Sequence, residues 1–244
     1  MEKYDEIAKL IKEKGYVVAF TGAGISVDSG IPAFRGGQGL WEKYDPMEYA
    51  HIRAFHANPG RAWTMLREMS NVIFESHPSP AHNALRDLER KGYLKAVITQ
   101  NVDGLHQIAG NSNVIEYHGN HRWLICTDCS KRIPLAPEHV SLMPYPSCDR
   151  CGTPLKPDVV FFGEGIPMRA VVQANDEAMR CKVLVIIGTS GVVYPAAEIP
   201  YASKANGAVV VEINVSPTPF TTSITDHYLE GSASEILPQI TGRL

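Results

Sequence analysis

YVVAFTGAGIS, residues Tyr16–Ser26, carries the reading of the fold. Val17 to Phe20 are apolar without alternation, as in a strand covered on both faces of a parallel sheet. They lead directly into Gly22-Ala23-Gly24. Glycines in that place allow a tight turn and let backbone N–H groups approach a pyrophosphate. The dinucleotide fingerprint asks for a third glycine, and that position is Val27. It also asks for a second strand about 20 residues on, ending in an acid for the ribose. The stretch there, GLWEKYDPMEY (39–49), offers Glu42 and Asp45 but no strand. The next clear strand begins only at Lys95, so the βαβ unit is interrupted. Taken alone, the motif fits a plain strand–helix turn as well as a nucleotide site.

Working outward, three more apolar runs suit buried parallel strands: KAVIT (95–99), KVLVIIG (182–188) and AVVVEIN (208–214). DVVFF (158–162) reads as a fifth and NVIEYH (113–118) as a short sixth. Helical patterns lie between them. In AHNALRDLERKG (81–92), Ala81, Ala84, Leu85 and Leu88 share one face and Gly92 ends the run. Residues 168–181 form another helix, and the last, ASEILPQITGRL, is bent or interrupted by Pro238. Strand–helix alternation of this kind predicts an α/β fold with a doubly wound parallel sheet. Two stretches break the rhythm. About 31–80 holds loop and helices punctuated by proline, and about 120–157 holds the cysteines. The expected division is a Rossmann-like domain from 1–30, 81–119 and 157–244. A smaller inserted domain would combine a helical module (31–80) and a zinc module (120–156).

The chain has 244 residues, 44% hydrophobic and 20% charged, with a net charge of −3. That composition is ordinary for a globular protein and gives no reason to expect nucleic-acid binding. The N-terminal MEKYDEIAKLIKEKGY places Ile7, Leu10 and Ile11 at helical spacing among charges, unlike a secretory signal. The longest apolar run, Val183–Gly188, falls far short of a membrane span. A cytoplasmic protein is expected.

Cys126-x-x-Cys129 and Cys148-x-x-Cys151 flank an 18-residue spacer, residues 130–147. Two such knuckles point four thiolates at one tetrahedral centre and predict a zinc site. Four protein ligands leave no position for a reacting water, so the zinc is expected to be structural. A zinc ribbon that reads nucleic acid is the functional rival, but its basic residues are few: Arg122, Lys131, Arg132 and Arg150. Cys181 beside the Val183 strand reads as a core residue. Gln100, Asn101 and Asp103 follow a strand end, where open α/β sheets bind ligands. Asp103 alone could be the cap of a short helix, 104–109. His118, at the edge of the cysteine insert, could serve as a general base. By spacing alone His106 and His121 stand equal to it.

Taken together, the segments resemble the sirtuin family of NAD-dependent protein-lysine deacylases. The matching stretches are TGAGISVDSGIPAFRG (21–36), TQNVDGLH (99–106), HGN (118–120), the four cysteines, PDVVFFGE (157–164), GTSGVVYPAA (188–197) and EIN (212–214), in family order. The resemblance implies a Rossmann-like domain with a smaller zinc-bearing domain, NAD as a consumed co-substrate, one structural zinc, and acyl-lysine proteins or peptides as partners. It implies transfer of the acyl group to ADP-ribose, with release of nicotinamide and 2′-O-acetyl-ADP-ribose. By the same resemblance Gly22, Ala23, Gly24 and Ser26 would hold the phosphates, with Phe34 and Arg35 on the cofactor loop. Ile31 and Asp103 would grip the nicotinamide carboxamide, and Gln100 and Asn101 the ribose. Gly188, Thr189, Ser190, Asn214 and Ala233 would line the adenosine end. His118 would be the catalytic base, with Asn101 and Asp103 beside it in the catalytic set. Val160, Phe161, Phe162, Gly163 and Val193 would bind the substrate peptide and its acyl-lysine.

The chain departs from the family pattern at Ala33, where a threonine or aspartate is usual. A branch that prefers succinyl- or malonyl-lysine carries tyrosine and arginine three and six residues after a tryptophan. Counted from Trp63, those positions are Leu66 and Met69. Arg67 is adjacent but turned about 100° around the helix. The expected acyl pocket is therefore apolar, suited to acetyl and to longer fatty acyl chains. Two other readings stand against this one: an NAD-dependent oxidoreductase with a structural zinc, and the nucleic-acid-binding ribbon.

Overall fold

The computed structural model describes residues 2–34 and 39–244. Among the described residues, nine strands form two sheets: β1 (Val17–Thr21), β2 (Leu94–Thr99), β3 (Val114–Glu116), β4 (Gly119–Cys126), β5 (Arg132–Pro134), β6 (Leu155–Val159), β7 (Val183–Ile187), β8 (Val209–Asn214) and β9 (His227–Glu230). The larger sheet is wholly parallel, in the order β3-β2-β1-β7-β8-β9. The chain winds one way from β1 through β2 to β3 and the other way from β7 to β9. The order reverses between β1 and β7, whose residues pair from Val17↔Val183 to Thr21↔Ile187.

Both faces of this sheet are covered, which is why its strands read as continuous apolar runs. Successive residues of a strand point to opposite faces. Val17 and Ala19 accordingly join Val183, Val185 and Ile187 under the helices Glu2–Lys14, Pro80–Arg90 and Ala233–Thr241. Val18 and Phe20 join Leu184 and Ile186 on the other face, under Met168–Arg180 and Glu198–Ala205. The last helix runs through Pro238 without ending there. No helix among the described residues is long and apolar enough to cross a membrane.

The two irregular stretches share one core. Residues 40–75 form four helices, of which Pro59–Glu75 is the longest. β4, β5 and β6 form an antiparallel sheet in the order β5-β4-β6. Phe55, Trp63 and Leu66 pack with Leu124, Cys126, Cys148, Leu155 and Phe161 in a single cluster. Two directional ties cross it. The Trp63 indole donates to the Leu155 carbonyl at 2.8 Å, and the Arg67 guanidinium donates to the carbonyls of Val140, Leu142 and Pro144.

Two expectations change here, and a further strand, β9, joins the parallel sheet. DVVFF does not join the parallel sheet. Its first two residues end β6, which pairs antiparallel with β4. Val159 and Phe161 are apolar because they bury against the inserts, not against the main sheet. β9 lies at the sheet edge beside β8, where HYLE lacks an apolar run. The short helix is Leu105–Ala109, with Gly104 at its N-cap. Asp103 caps it only in part: one carboxylate oxygen accepts the Leu105 N–H at 2.9 Å, and the other is engaged elsewhere.

Candidate active site

The strand reversal between β1 and β7 opens a crevice beyond their carboxyl ends, the usual ligand position in such sheets. Two loops meet there. Gly22 and Gly24 follow β1 and open the 3-10 helix Ala23–Ser29; Gly188, Thr189 and Ser190 follow β7. The Gly24 N–H donates to the Gly188 carbonyl at 2.8 Å. Gly188 has φ +57°, and a Cβ there would lie 2.6 Å from the Gly24 backbone, so glycine is required. The resulting cleft, of about 780 Å³, runs from these loops to Asn214 and Ala233 at one end. At the other it reaches Leu66, Met69, Val160, Phe161, Phe162, Gly163 and Val193. That volume suits a cofactor together with part of a second substrate.

A polar cluster forms the cleft floor. The Gln100 side-chain amide donates to Thr189 Oγ1 at 2.9 Å, joining the β2 and β7 loops. Asn101 donates from its amide to the Gly22 carbonyl and to Ser26 Oγ. The Ser26 hydroxyl donates to Asp103 Oδ2 at 2.7 Å. Burial pushes the Asp103 carboxyl up from its ordinary value, against the bonds from the Leu105 N–H and Ser26. Ser26, Ile31, Phe34, Asn101 and Asp103 line a smaller side pocket beside the cleft, with Met69. The Asn214 amide donates to the Thr189 carbonyl at 2.8 Å. Phe34 stacks on Trp41 at 5.3 Å between ring centroids. Arg35 lies outside the described residues.

Of the three histidines that spacing left equal, His118 lines the cleft. Its Nδ1 lies 3.1 Å from the Gln100 carbonyl. A carbonyl only accepts, so Nδ1 carries the proton and Nε2 keeps its lone pair. Burial lowers the His118 pKa below the ordinary histidine value, and the bond to Gln100 opposes that. Burial thus favours the neutral ring. Gly119 follows with φ +78°, and a Cβ there would meet the Asp158 carbonyl at 2.3 Å. This contact seats β4 on β6 and fixes where His118 sits. His106 is buried away from the cleft with Nε2 3.0 Å from Thr21 Oγ1, and burial holds its pKa well below the usual range. His121 is buried against Ser70 Oγ at 2.7 Å, its pKa pushed down by burial to about 4.

Leu66 and Met69 face the apolar end of the cleft from one helix. Arg67 points away and is occupied by the three carbonyls described above and by that of Trp63. No lysine or arginine stands among the described lining residues. Trp41, Ala50 and Met65 also line this end. No motif marks them, because they reach the cleft only when the helical module folds against β6.

The four cysteine sulfurs lie within 4.8 Å of one another. Cys126 and Cys151 are 3.4 Å apart and Cys129 and Cys148 3.7 Å apart, too long for disulfides. A tetrahedral zinc with 2.3 Å bonds to sulfur has edges of about 3.8 Å. The cluster fits that ion, with four thiolates to fill its tetrahedral positions.

Residues 22–195 match the Sir2 family. The chain is 46% identical over 239 residues to the NAD-dependent protein deacylase of Pyrococcus furiosus, covering 96% of this chain and 95% of that one. Among solved structures, a Sir2 homologue–NAD complex matches with a TM-score of 0.91 and 42% identity, covering 97% of this chain and 92% of that one. Sir2Af2 bound to a myristoylated histone peptide matches with a TM-score of 0.83 and 37% identity, covering 99% and 96%. Match length, identity and the architecture of two sheets with a four-cysteine cluster agree: the chain belongs to the Sir2 family.

Proposed function

We propose that the chain is an NAD-dependent protein-lysine deacylase that acts on acetyl-lysine and on longer fatty acyl-lysines. The carrying observation is His118. Its Nδ1 is anchored on the Gln100 carbonyl, its Nε2 has no hydrogen-bond partner among the described residues, burial favours the neutral ring, and the residue lines the dinucleotide-sized cleft. When bound, NAD supplies the ribose carbon that loses nicotinamide and the ADP-ribose that accepts the acyl group. The rest falls to the chain. The Gly22-Ala23-Gly24 turn and Ser26 would hold the phosphates, with Arg35 near them on the cofactor loop. The Gly22 and Gly24 N–H groups are themselves bonded to the Ile187 and Gly188 carbonyls, so the glycines serve by letting the backbone approach. Gly188, Thr189, Ser190, Asn214 and Ala233 would hold the adenosine end. Ile31 and Asp103 would orient the nicotinamide, and Gln100 and Asn101 the ribose. Phe34, stacked on Trp41, would exclude water from the reacting carbon. His118 Nε2 would take a proton from a ribose hydroxyl. Val160 to Gly163 and Val193 would hold the peptide, with Leu66 and Met69 around the acyl chain. Zinc would hold β4 to β6 and take no part in the chemistry.

The relative with NAD and the relative with a myristoylated peptide support the cofactor and the long acyl chain. In this reading the partners are acyl-lysine proteins or peptides, and the protein works in the cytoplasm without membrane or nucleic acid. Lys131, Arg132 and Arg122 each pair with a carboxylate, which favours a scaffold over a phosphate-binding ribbon. The sheet segments form the larger domain of this reading and residues 31–80 and 120–156 the smaller one.

The acyl range is tested with NAD and matched acetyl-, myristoyl- and succinyl-peptides. Acetyl and myristoyl peptides are turned over. Succinyl peptide is slower by roughly 10- to 100-fold, since its carboxylate enters without a charged partner. Leu66→Tyr with Met69→Arg restores desuccinylation by supplying that partner. Efficient desuccinylation by the unmodified protein contradicts the apolar pocket.

A further inference from the structure

Lys156 is a lysine with only 4% of its surface exposed. Its ammonium donates to the Val159 carbonyl at 2.7 Å and to the Pro157 carbonyl at 3.4 Å. It pairs with Glu164 Oε2 at 3.0 Å and lies 4.7 Å from the Phe161 ring centroid. The same Glu164 oxygen accepts the Phe161 N–H at 2.8 Å. One ion pair, buried at Lys156 and half-buried at Glu164, thus clasps both ends of the segment Val159–Glu164.

That segment is central to the cleft. The Val160 N–H donates to the His118 carbonyl at 2.9 Å. The Phe162 N–H donates to the Ala50 carbonyl, and the Phe162 carbonyl accepts from the Ile52 N–H. Among the described residues, these bonds leave the Val160 carbonyl and the Gly163 N–H without a partner. A buried ammonium is costly unless it is paired and fully hydrogen-bonded, and an apolar side chain would fill the space without that cost. Its return is direction: the charge fixes where the Glu164 carboxylate sits, and the carboxylate fixes Phe161.

We propose that Lys156 is a positioning residue. With Glu164 it preforms the Val159–Glu164 segment as an edge for the substrate peptide backbone. The proposal rests on the deacylase reading and adds a residue to it. Without Lys156, the Glu164 carboxylate is an unpaired charge beside the groove and turns toward water, releasing the Phe161 N–H. Peptide binding must then order the segment as well as occupy it. The loss falls on the peptide. The loops that face the cofactor, Gly22–Ser26 and Gly188–Ser190, make none of these contacts.

The test compares Lys156→Met, Lys156→Arg and the double variant Lys156→Met/Glu164→Gln with the unmodified protein. Dissociation constants are measured separately for an acetyl-lysine peptide and for ADP-ribose, alongside KM for peptide and for NAD. Lys156→Met weakens peptide binding and raises peptide KM by roughly tenfold or more, while ADP-ribose affinity stays within about twofold. The double variant recovers most of the loss, because no lone charge remains and the introduced amide oxygen can still accept from the Phe161 N–H. Lys156→Arg stays near the unmodified protein. If Lys156→Met does not fold, Glu164→Gln alone carries the test, with a smaller loss confined to peptide. Unchanged peptide affinity in the folded variant, or equal loss toward peptide and ADP-ribose, overturns the proposal. Failure of the deacylase reading shows separately, as peptide binding by the unmodified protein without nicotinamide release.

Discussion

His118→Ala lowers kcat/KM for an acetyl-lysine peptide by about 10²- to 10⁴-fold, the range for loss of a general base. ADP-ribose and peptide still bind, because the ring only borders the cleft and its tie to the rest of the site is one bond to Gln100. The pH profile carries the same claim. The base acts when neutral, so activity rises with pH through the His118 pKa and then levels. Burial, the larger influence, holds that pKa below the ordinary histidine value, and the Gln100 bond offsets it only in part. The acid limb of log kcat/KM therefore lies below pH ~6.5. A limb centred above neutrality, or a His118→Ala variant that retains turnover, contradicts the assignment.

Removing the zinc has an effect of similar size by another route. Structural zinc in small modules contributes about 10–16 kcal/mol of apparent binding energy at pH 7, and that energy is folding energy. Here Cys126 and Cys148 belong to the same buried cluster as Trp63, Leu66 and Phe161. Collapse of the cysteine site therefore reaches the acyl end of the cleft. We expect one zinc per chain. Cys148→Ser or prolonged chelation should abolish activity and red-shift the emission of Trp63, which is fully buried. Re-adding zinc to the chelated protein should restore both. Cys181→Ser should keep the metal, since Cys181 lies in the core of the parallel sheet. Full activity in a zinc-free protein would remove the metal from the account.

The central strands are readable because they are buried on both faces and their apolar character is continuous. Val17–Phe20 and Val183–Ile187 show this directly. The same signal misleads at DVVFF, whose burial comes from the helical and zinc modules. Periodicity reports burial and not the partner. β9 escapes because an edge strand has neighbours on one side only, and His227 and Tyr228 are half-buried. β4 escapes because its buried residues include Asn120 and His121, polar groups satisfied by Glu116 and Ser70. The cysteine cluster is fully legible, since ligand spacing is local. The ranking of the histidines is not. It depends on which ring lies at the cleft and which lie behind it, a property of strand packing. Lys156 and Glu164 sit eight residues apart with nothing in their spacing to mark a pair. Only the turn after β6 brings them together.

In the proposed reaction NAD is consumed rather than reduced. The most direct measurement is a product balance after incubation with NAD and an acetyl-lysine peptide, read by mass spectrometry with absorbance followed at the NADH band. Nicotinamide, deacetylated peptide and O-acetyl-ADP-ribose are expected in equal amounts, with no NADH. Free acetate formed without nicotinamide, or reduction of NAD, would contradict it.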